Sequence, residues 1–346
     1  MKACIIHNPV AGQGDKMEDL RLMQAALAER GWEVAEVQAT GSQGDATLFA
    51  RRAAERGFGL VFAVGGDGTV AQIADGLVGS ETALGVLPGG TGNVMARQLN
   101  LPVPGGLRPR PLLDAFNLLL EGQVRAVDVG RANVAGGLSR HFLCWSGVGF
   151  DAQVTRAVDA EPERKHRLGI LAFAVAALET LRDYQGTRAI VRVDGRRLRQ
   201  RLVMLVANNI QLYGAWFKMA PRATLDDGWL DVYSFNGRHS VLTFGRALRL
   251  LVDRRQQIPE VKFYQARRIE IVSARPLPVH VDGDTIGHTP AVIEIVPRAL
   301  KLLVPTTAPP DLFLAGAALR PPESVVDWVS QLARGAQTVF TNRSAG

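Results

Sequence analysis

The sequence predicts an α/β domain followed by an antiparallel β domain, and three observations predict it. Up to Asp128 short apolar runs alternate with amphipathic ones; beyond it strand-like runs follow one another with few helical patterns between; and 346 residues, 47% of them apolar, favour two cores over one. Ala3 to His7 reads as a strand, Met17 to Arg30 as an amphipathic helix and Glu33 to Gln38 as a second strand. Asp45 to Arg56 follows as a helix, Leu60 to Val64 as a buried strand, Val70 to Leu77 as a helix and Ala83 to Leu87 as a strand. This βαβ alternation implies an open, mostly parallel sheet covered by helices. Leu101 to Pro111, rich in Pro, Gly and Arg, reads as a long loop, and Leu112 to Leu120 as the closing helix.

The second domain, residues 129–305, is expected to carry strands at Ala189 to Val193, Leu198 to Ala207, Leu230 to Phe235, Arg268 to Val272, Val279 to Val281, Ala291 to Ile295 and Leu300 to Val304. Strands without intervening helices pair antiparallel. Two helical insertions, Leu168 to Tyr184 and Val241 to Val252, are expected to interrupt them. Residues 306–346 form a C-terminal extension in which Val325, Trp328, Val329 and Leu332 fall at i, i+3, i+4 and i+7. That is one amphipathic helix, expected to pack on the protein itself or to make a membrane or homodimer contact.

Composition narrows the function classes. The longest strongly apolar stretch, Leu168 to Leu178, stops at Glu179, well short of the roughly 20 residues that cross a bilayer. No signal peptide is visible at the start, and the only cysteines, Cys4 and Cys144, have neither CxxC nor zinc-ligand spacing. A cytoplasmic chain with two buried thiols and no structural disulfide is the expectation. Forty Lys and Arg against 33 Asp and Glu leave a net charge of +7, clustered at Arg108 with Arg110, Arg164 to Arg167, Arg196 to Arg201, Arg254-Arg255 and Arg267-Arg268. Aromatics do not interleave with these clusters as a single-strand nucleic-acid platform requires. Solvated surface charge accounts for any one of them; together they point to nucleotide phosphates or an anionic membrane surface.

Chemistry concentrates in loops that follow strands. Leu60 to Val64 runs into Gly65-Gly66-Asp67-Gly68-Thr69, and Ala83 to Leu87 into Pro88-Gly89-Gly90-Thr91-Gly92-Asn93. Glycines there let backbone amides approach phosphate oxygens, although a Gly-rich turn alone is often only a tight turn. Asp67, an anion, makes sense in such a loop as the holder of a divalent cation or as a proton acceptor. Asn8-Pro9-Val10-Ala11-Gly12 follows the first strand and reaches the same sheet edge. Neither GxxxxGK[ST] nor GxGxxG is present, and none of the six histidines has ligand spacing to another.

These residues resemble the diacylglycerol kinase catalytic domain family, which includes sphingosine and ceramide kinases and soluble bacterial lipid kinases. The resemblance is carried by Asn8-Pro9 with Gly12, Gly65 to Thr69, Leu87 to Asn93, Gly147-Val148-Gly149-Phe150-Asp151-Ala152, Ala207-Asn208-Asn209, Pro221-Arg222-Ala223, Asp226 to Asp231 and Asp282-Gly283-Asp284. It spans residues 3 to about 304. It implies an N-terminal α/β domain similar to those of NAD kinases and phosphofructokinases, a C-terminal antiparallel β-sandwich whose last segment returns to the first domain, and an active site in the cleft between them.

By motif position, the resemblance implies ATP contacts from Asn8, Pro9, Val10, Ala11, Gly12, Thr40, Gly65, Gly66, Asp67, Gly68, Thr69, Val70, Ala71, Gln72, Gly89, Gly90, Thr91, Gly92 and Asn93. It implies a structural magnesium ion on Asp227 with the backbone carbonyls of Thr224 and Trp229, and a lipid head-group contact or a structural carboxylate at Asp151. The general base is usually the Glu of a DGE sequence; here that position is Asp284, with Asp67 as its assistant. Asp is one methylene shorter, a loss of roughly 1.5 Å of reach. Ala71-Gln72 also stands where Asn-Glu is common. The expected activity is transfer of the ATP γ-phosphate to a lipid hydroxyl, by a peripheral protein at the inner membrane surface. A soluble NAD-kinase-like enzyme and a catalytically silent nucleotide- or membrane-binding regulator are the alternatives.

Overall fold

A computed structural model describes residues 2–12, 16–42, 44–105, 109–160, 175–176, 179–180, 184–214, 217–238 and 260–314. Its first half runs β1 (Lys2–His7), α1 (Met17–Glu29), β2 (Glu33–Ala39), α2 (Asp45–Glu55), β3 (Leu60–Gly65), α3 (Asp67–Leu77), β4 (Ala83–Pro88), α4 (Val94–Gln98) and α5 (Pro111–Leu120). The strands pair in parallel in the order β4-β3-β1-β2. Every residue of β3 and β4 is buried, which is why both read as continuous apolar runs without alternation. Parallel pairing also carries the ends of β1, β3 and β4 to one edge, with their loops side by side.

The second half is built from β5 (Gln123–Val134), β6 (Ser139–Phe142), β7 (Trp145–Gly149), α6 (Phe150–Asp159), β8 (Thr187–Val193), β9 (Arg196–Asn208), β10 (Leu212–Tyr213), β11 (Phe217–Lys218), β12 (Leu230–Asn236), β13 (Val261–Ala266), β14 (Arg268–Ser273), β15 (Pro278–Val281), β16 (Asp284–His288) and β17 (Ala291–Val304). These strands pair antiparallel, in the order β16-β15-β7-β9-β8-β14-β17, with β12 and β13 continuing from β9. Val191, Leu202, Leu205, Val232, Ile269, Ile271, Val279 and Ile293 fill the core of this β-sandwich. A second cluster, with Phe150 and Val154 of α6 against Val203, Val206 and Phe235, covers another face.

β17 ties the halves together. It pairs with β5 along its whole length and in parallel with β4 through Lys301 and Leu302, so a single sheet runs through both domains. The two expected strands at 291–295 and 300–304 are therefore one strand, interrupted by a register shift between Val296 and Leu300. Pro297 donates no N–H and Arg298 adopts a φ of 51°, which breaks the alternation that a sequence pattern registers. The Asp128 carboxylate fills the irregularity, accepting the Arg298 N–H at 2.7 Å. The domain junction expected at residue 128 thus falls inside β5.

Three expectations are corrected. α3 begins at Asp67, three residues before Val70, so Asp67-Gly68-Thr69 is itself helical and Gly66 is the extended residue that caps it. α6 stands where no helix was expected, following Gly149 at a φ of 89°. α4, five residues long, is too short to show a periodicity. The insertion at 168–184 lies largely outside the described residues, and the insertion at 241–252 and the amphipathic helix at Val325 to Leu332 lie entirely outside them. Cys4 and Cys144 are both buried and outside any disulfide. No helix among the described residues is long and apolar enough to cross a membrane.

Candidate active site

Three loops meet at the carboxyl edge of the parallel sheet. The Asn8 N–H continues the ladder to the Val64 carbonyl at 2.9 Å, and its side-chain amide donates to Thr69 Oγ1 at 3.2 Å. Asn8 Oδ1 accepts the Val10 N–H, which leaves Val10 86% exposed at the loop tip, and the Thr40 N–H donates to His7. The Gly89 N–H donates to the Gly65 carbonyl at 2.9 Å, while Asn93 and Gly90 exchange two hydrogen bonds.

The glycines serve this close approach more than an open cradle. A Cβ at Gly89 would lie 2.9 Å from the Gly65 nitrogen, one at Gly65 2.6 Å from Thr69 Cβ, one at Gly90 against the Gly66 Cα and one at Gly92 against an Asp67 carboxylate oxygen. Gly12, at a φ of 69°, is pressed on the Gly89 carbonyl. Gly66 and Gly68 differ, because the space a side chain would take there is free of collision. Thr91 is exposed beside them. The first-turn N–H groups of α3 have no partner within the helix and are the donors available to an anion.

Asp67 opens α3 as its first residue. Its Oδ1 accepts the Val94 N–H at 2.6 Å, joining the second and third loops. Burial raises its pKa, opposed by backbone hydrogen bonds and by the nearby Arg97 guanidinium. Gln72 Oε1, one turn further along, accepts the Gly44 N–H at 3.2 Å and so braces the start of α2.

The sandwich domain delivers the second carboxylate. β15 and β16 are joined by Asp282 and Gly283, both at positive φ (46° and 91°), the conformation an Asp-Gly hairpin turn prefers. Asp284 emerges half-buried with its Oδ1 3.8 Å from where a Cβ on Gly68 would sit. The two expected catalytic aspartates, Asp67 and Asp284, are therefore brought to the start of one helix from different domains. Asp282 faces inward, accepting N–H groups from Leu143, Cys144 and Trp145 at 2.7, 2.8 and 2.9 Å. Burial pushes its pKa up to about 6, the three N–H groups opposing and the charge of Asp67 adding to the rise.

Asp151 lies deeper. One of its oxygens is 2.6 Å from His280 Nε2, the other accepts the Tyr213 hydroxyl, and the residue is 8% exposed. Its carboxylate thus holds two side chains of the sandwich. His280 and Tyr213 carry no motif and were not anticipated; a single histidine within Val279 to Val281 shows no spacing signal.

At the expected cation position, Asp227 Oδ1 accepts the Trp229 N–H at 2.9 Å, and Gly228 donates to Asp128 Oδ2 at 2.6 Å. Burial raises the pKa values of Asp227 and Asp128, and neighbouring carboxylates raise them further. Asp231 is pushed up to about 7 by burial, with the charge of Asp227 adding. Asp231 Oδ2 is buried without a hydrogen-bond partner, while a hydrogen bond from the Thr224 side chain favours the Asp227 anion. Repelling carboxylates, one with an unpartnered oxygen, fit a cation. No three His, Cys, Asp or Glu side chains among the described residues form a site by themselves, so carbonyl oxygens such as those of Thr224 and Trp229 would have to complete it.

Comparison with known proteins agrees with both halves. Residues 2–132 match the family model described as the diacylglycerol kinase catalytic domain, and residues 146–304 the one described as the YegS C-terminal NAD kinase beta sandwich-like domain. The chain is 32% identical over 303 residues to a probable lipid kinase YegS-like from Chromohalobacter salexigens, covering 85% of this chain and 91% of that one. It is 26% identical over 306 residues to a diacylglycerol kinase of Bacillus subtilis, covering 88% and 96%. A crystal structure from Bacillus anthracis, described as a candidate diacylglycerol kinase, superposes with a TM-score of 0.70 at 25% identity, covering 89% of this chain and 98% of that one.

Proposed function

The chain belongs to the diacylglycerol kinase family of lipid kinases, and we propose on that footing that it transfers the γ-phosphate of ATP to the hydroxyl of a lipid. The observation that carries this reading is the meeting of Asp284, from the sandwich hairpin, with Asp67 and Gly68 at the start of α3. ATP lies along the three loops, its phosphates on the α3 N-terminus beside Gly66 and Gly68. The lipid enters from the sandwich side. Asp284 accepts the hydroxyl proton as the lipid oxygen bonds to the γ-phosphorus and the bond to the β–γ bridging oxygen breaks, releasing ADP. Asp67, whose pKa burial raises, assists by holding the proton or a cation near the transferring group. A divalent ion, when bound, supplies charge neutralisation of the phosphates. Asp227, Thr224 and Trp229 would hold a second, structural ion.

The membrane is met by a cationic face. On β8 and β9 the outward residues include Arg188, Arg192, Arg197, Arg199 and Arg201, with Arg188 directly opposite Arg201 and Arg192 opposite Arg197. Glu270 answers Arg192. Like charges directly opposite one another destabilise a sheet, and an anionic leaflet relieves that repulsion, at about 1 kcal/mol per arginine near the surface.

The test is incubation with γ-labelled ATP, magnesium and vesicles that each carry one candidate lipid, followed by organic extraction. Labelled lipid from the wild type and none from a folded Asp67→Asn variant supports the reading. Label on an aqueous dinucleotide would establish the NAD-kinase-like alternative; ATP binding without transfer to any acceptor would leave the regulator.

A further inference from the structure

We propose that His280 is a positioning residue that sets the place of Asp284 through the hairpin turn between them. The inference rests on the reading of Asp284 as the proton acceptor. An Asp there has about 1.5 Å less reach than a Glu, so its backbone must be held more closely. The turn is held from two sides. Asp282 takes the three N–H groups of residues 143–145, and on the other side the Gly283 N–H donates to His280 Nδ1 at 3.3 Å.

A ring nitrogen that accepts at Nδ1 carries its proton at Nε2 in the neutral imidazole. Nε2–H then donates to Asp151 at 2.6 Å, and Asp151 in turn accepts the Tyr213 hydroxyl. The chain of contacts therefore runs from β10 through α6 and β15 to the amide next to Asp284. His280 is 1% exposed, and Gly147 of β7 leaves it room: a Cβ there would collide with both His280 Nε2 and Asp151 Oδ2. The glycine that opens the Gly147 to Ala152 motif is needed for this bond, which gives the motif a role the site's chemistry had not supplied.

Two substitutions separate the halves of the imidazole. His280→Asn keeps an acceptor near the Nδ1 position and so keeps the Gly283 bond; His280→Gln reaches Asp151 but offers Gly283 nothing. Displacement of a reacting group by about 1 Å costs on the order of a hundredfold in rate. We expect His280→Gln to lower kcat about ten- to a hundredfold with the KM for ATP unchanged, and His280→Asn, which keeps the Gly283 bond but loses the one to Asp151, to lose clearly less, within about tenfold of wild type. In an Asp284→Glu background, where reach is restored, the loss from His280→Gln should shrink to a few-fold.

Amide exchange of the segment 278–288 gives a readout independent of activity. It should quicken in His280→Gln and stay slow in His280→Asn. Equal kcat losses from His280→Gln in the wild-type and Asp284→Glu backgrounds, or folded His280→Gln at wild-type kcat, would overturn the positioning role while leaving the kinase reading intact. Absence of labelled lipid from both wild type and Asp284→Glu would overturn the kinase reading and this inference with it.

Discussion

Asp282→Asn tests the electrostatics of the turn through stability rather than turnover. The wild-type carboxyl is pushed up to about 6 in the folded protein by burial and has an ordinary value of 3.8 otherwise. Between those two pH values the folded state holds a proton that the unfolded state has lost, so folding takes up a proton and stability falls as pH rises from about 4 to about 6. A gap of about two units corresponds to about 3 kcal/mol. The Asn variant has no such titration. Its amide can still accept from Cys144 and Trp145 but meets the Leu143 N–H with a donor, an offset of about 1–3 kcal/mol independent of pH. Urea unfolding of both proteins at pH 4, 5, 6 and 7 should show the wild type losing about 3 kcal/mol relative to the variant across that range. Parallel curves, or a wild type that gains on the variant as pH rises, would mean that the Asp282 carboxyl is not raised in the folded protein.

Other consequences follow from the same geometry. Gly12→Ala must strain a φ of 69° and drive its Cβ into the Gly89 carbonyl, so the KM for ATP should rise about tenfold or more, with about 1–3 kcal/mol of stability lost in a thermal melt. Asp227→Asn should remove the rise in melting temperature that magnesium gives the wild type, and a chelator should lower the wild type to the variant's level; scanning calorimetry reads both. Arg197→Glu with Arg199→Glu should cut sedimentation with anionic vesicles at least tenfold, leave binding to zwitterionic vesicles unaffected, and preserve the melting temperature.

How much was legible varies with what each element exposes to pattern. β3 and β4 were visible as unbroken apolar runs because both their faces are covered, and the loops that follow them because glycine clusters are rare elsewhere. The pairing of Asp67 with Asp284 followed from a family resemblance, since nothing local says that residues 217 positions apart share one helix start. β17 was read as two strands because Pro297 and Arg298 interrupt its alternation, and only the partner strand, with Asp128 in the gap, shows it to be continuous. His280 was invisible for a related reason: its meaning lies in Gly147, Asp151 and Tyr213, each from a different element. The glycines of the loops after β3 and β4 are expected from the sequence to admit phosphate oxygens; several of them instead lie where neighbouring protein atoms leave no room for a Cβ.

In the proposed mechanism Asp284 takes the proton of a lipid hydroxyl at the start of α3. The most direct test of that role is a single-turnover measurement with enzyme in excess over γ-labelled ATP on vesicles of the preferred lipid, comparing wild type with Asp284→Asn at matched ATP affinity. The account predicts rapid appearance of label in the extracted lipid for the wild type and a rate at least a hundredfold lower for the variant, with ATP binding unchanged. Equal rates would remove Asp284 from the chemistry and contradict the account.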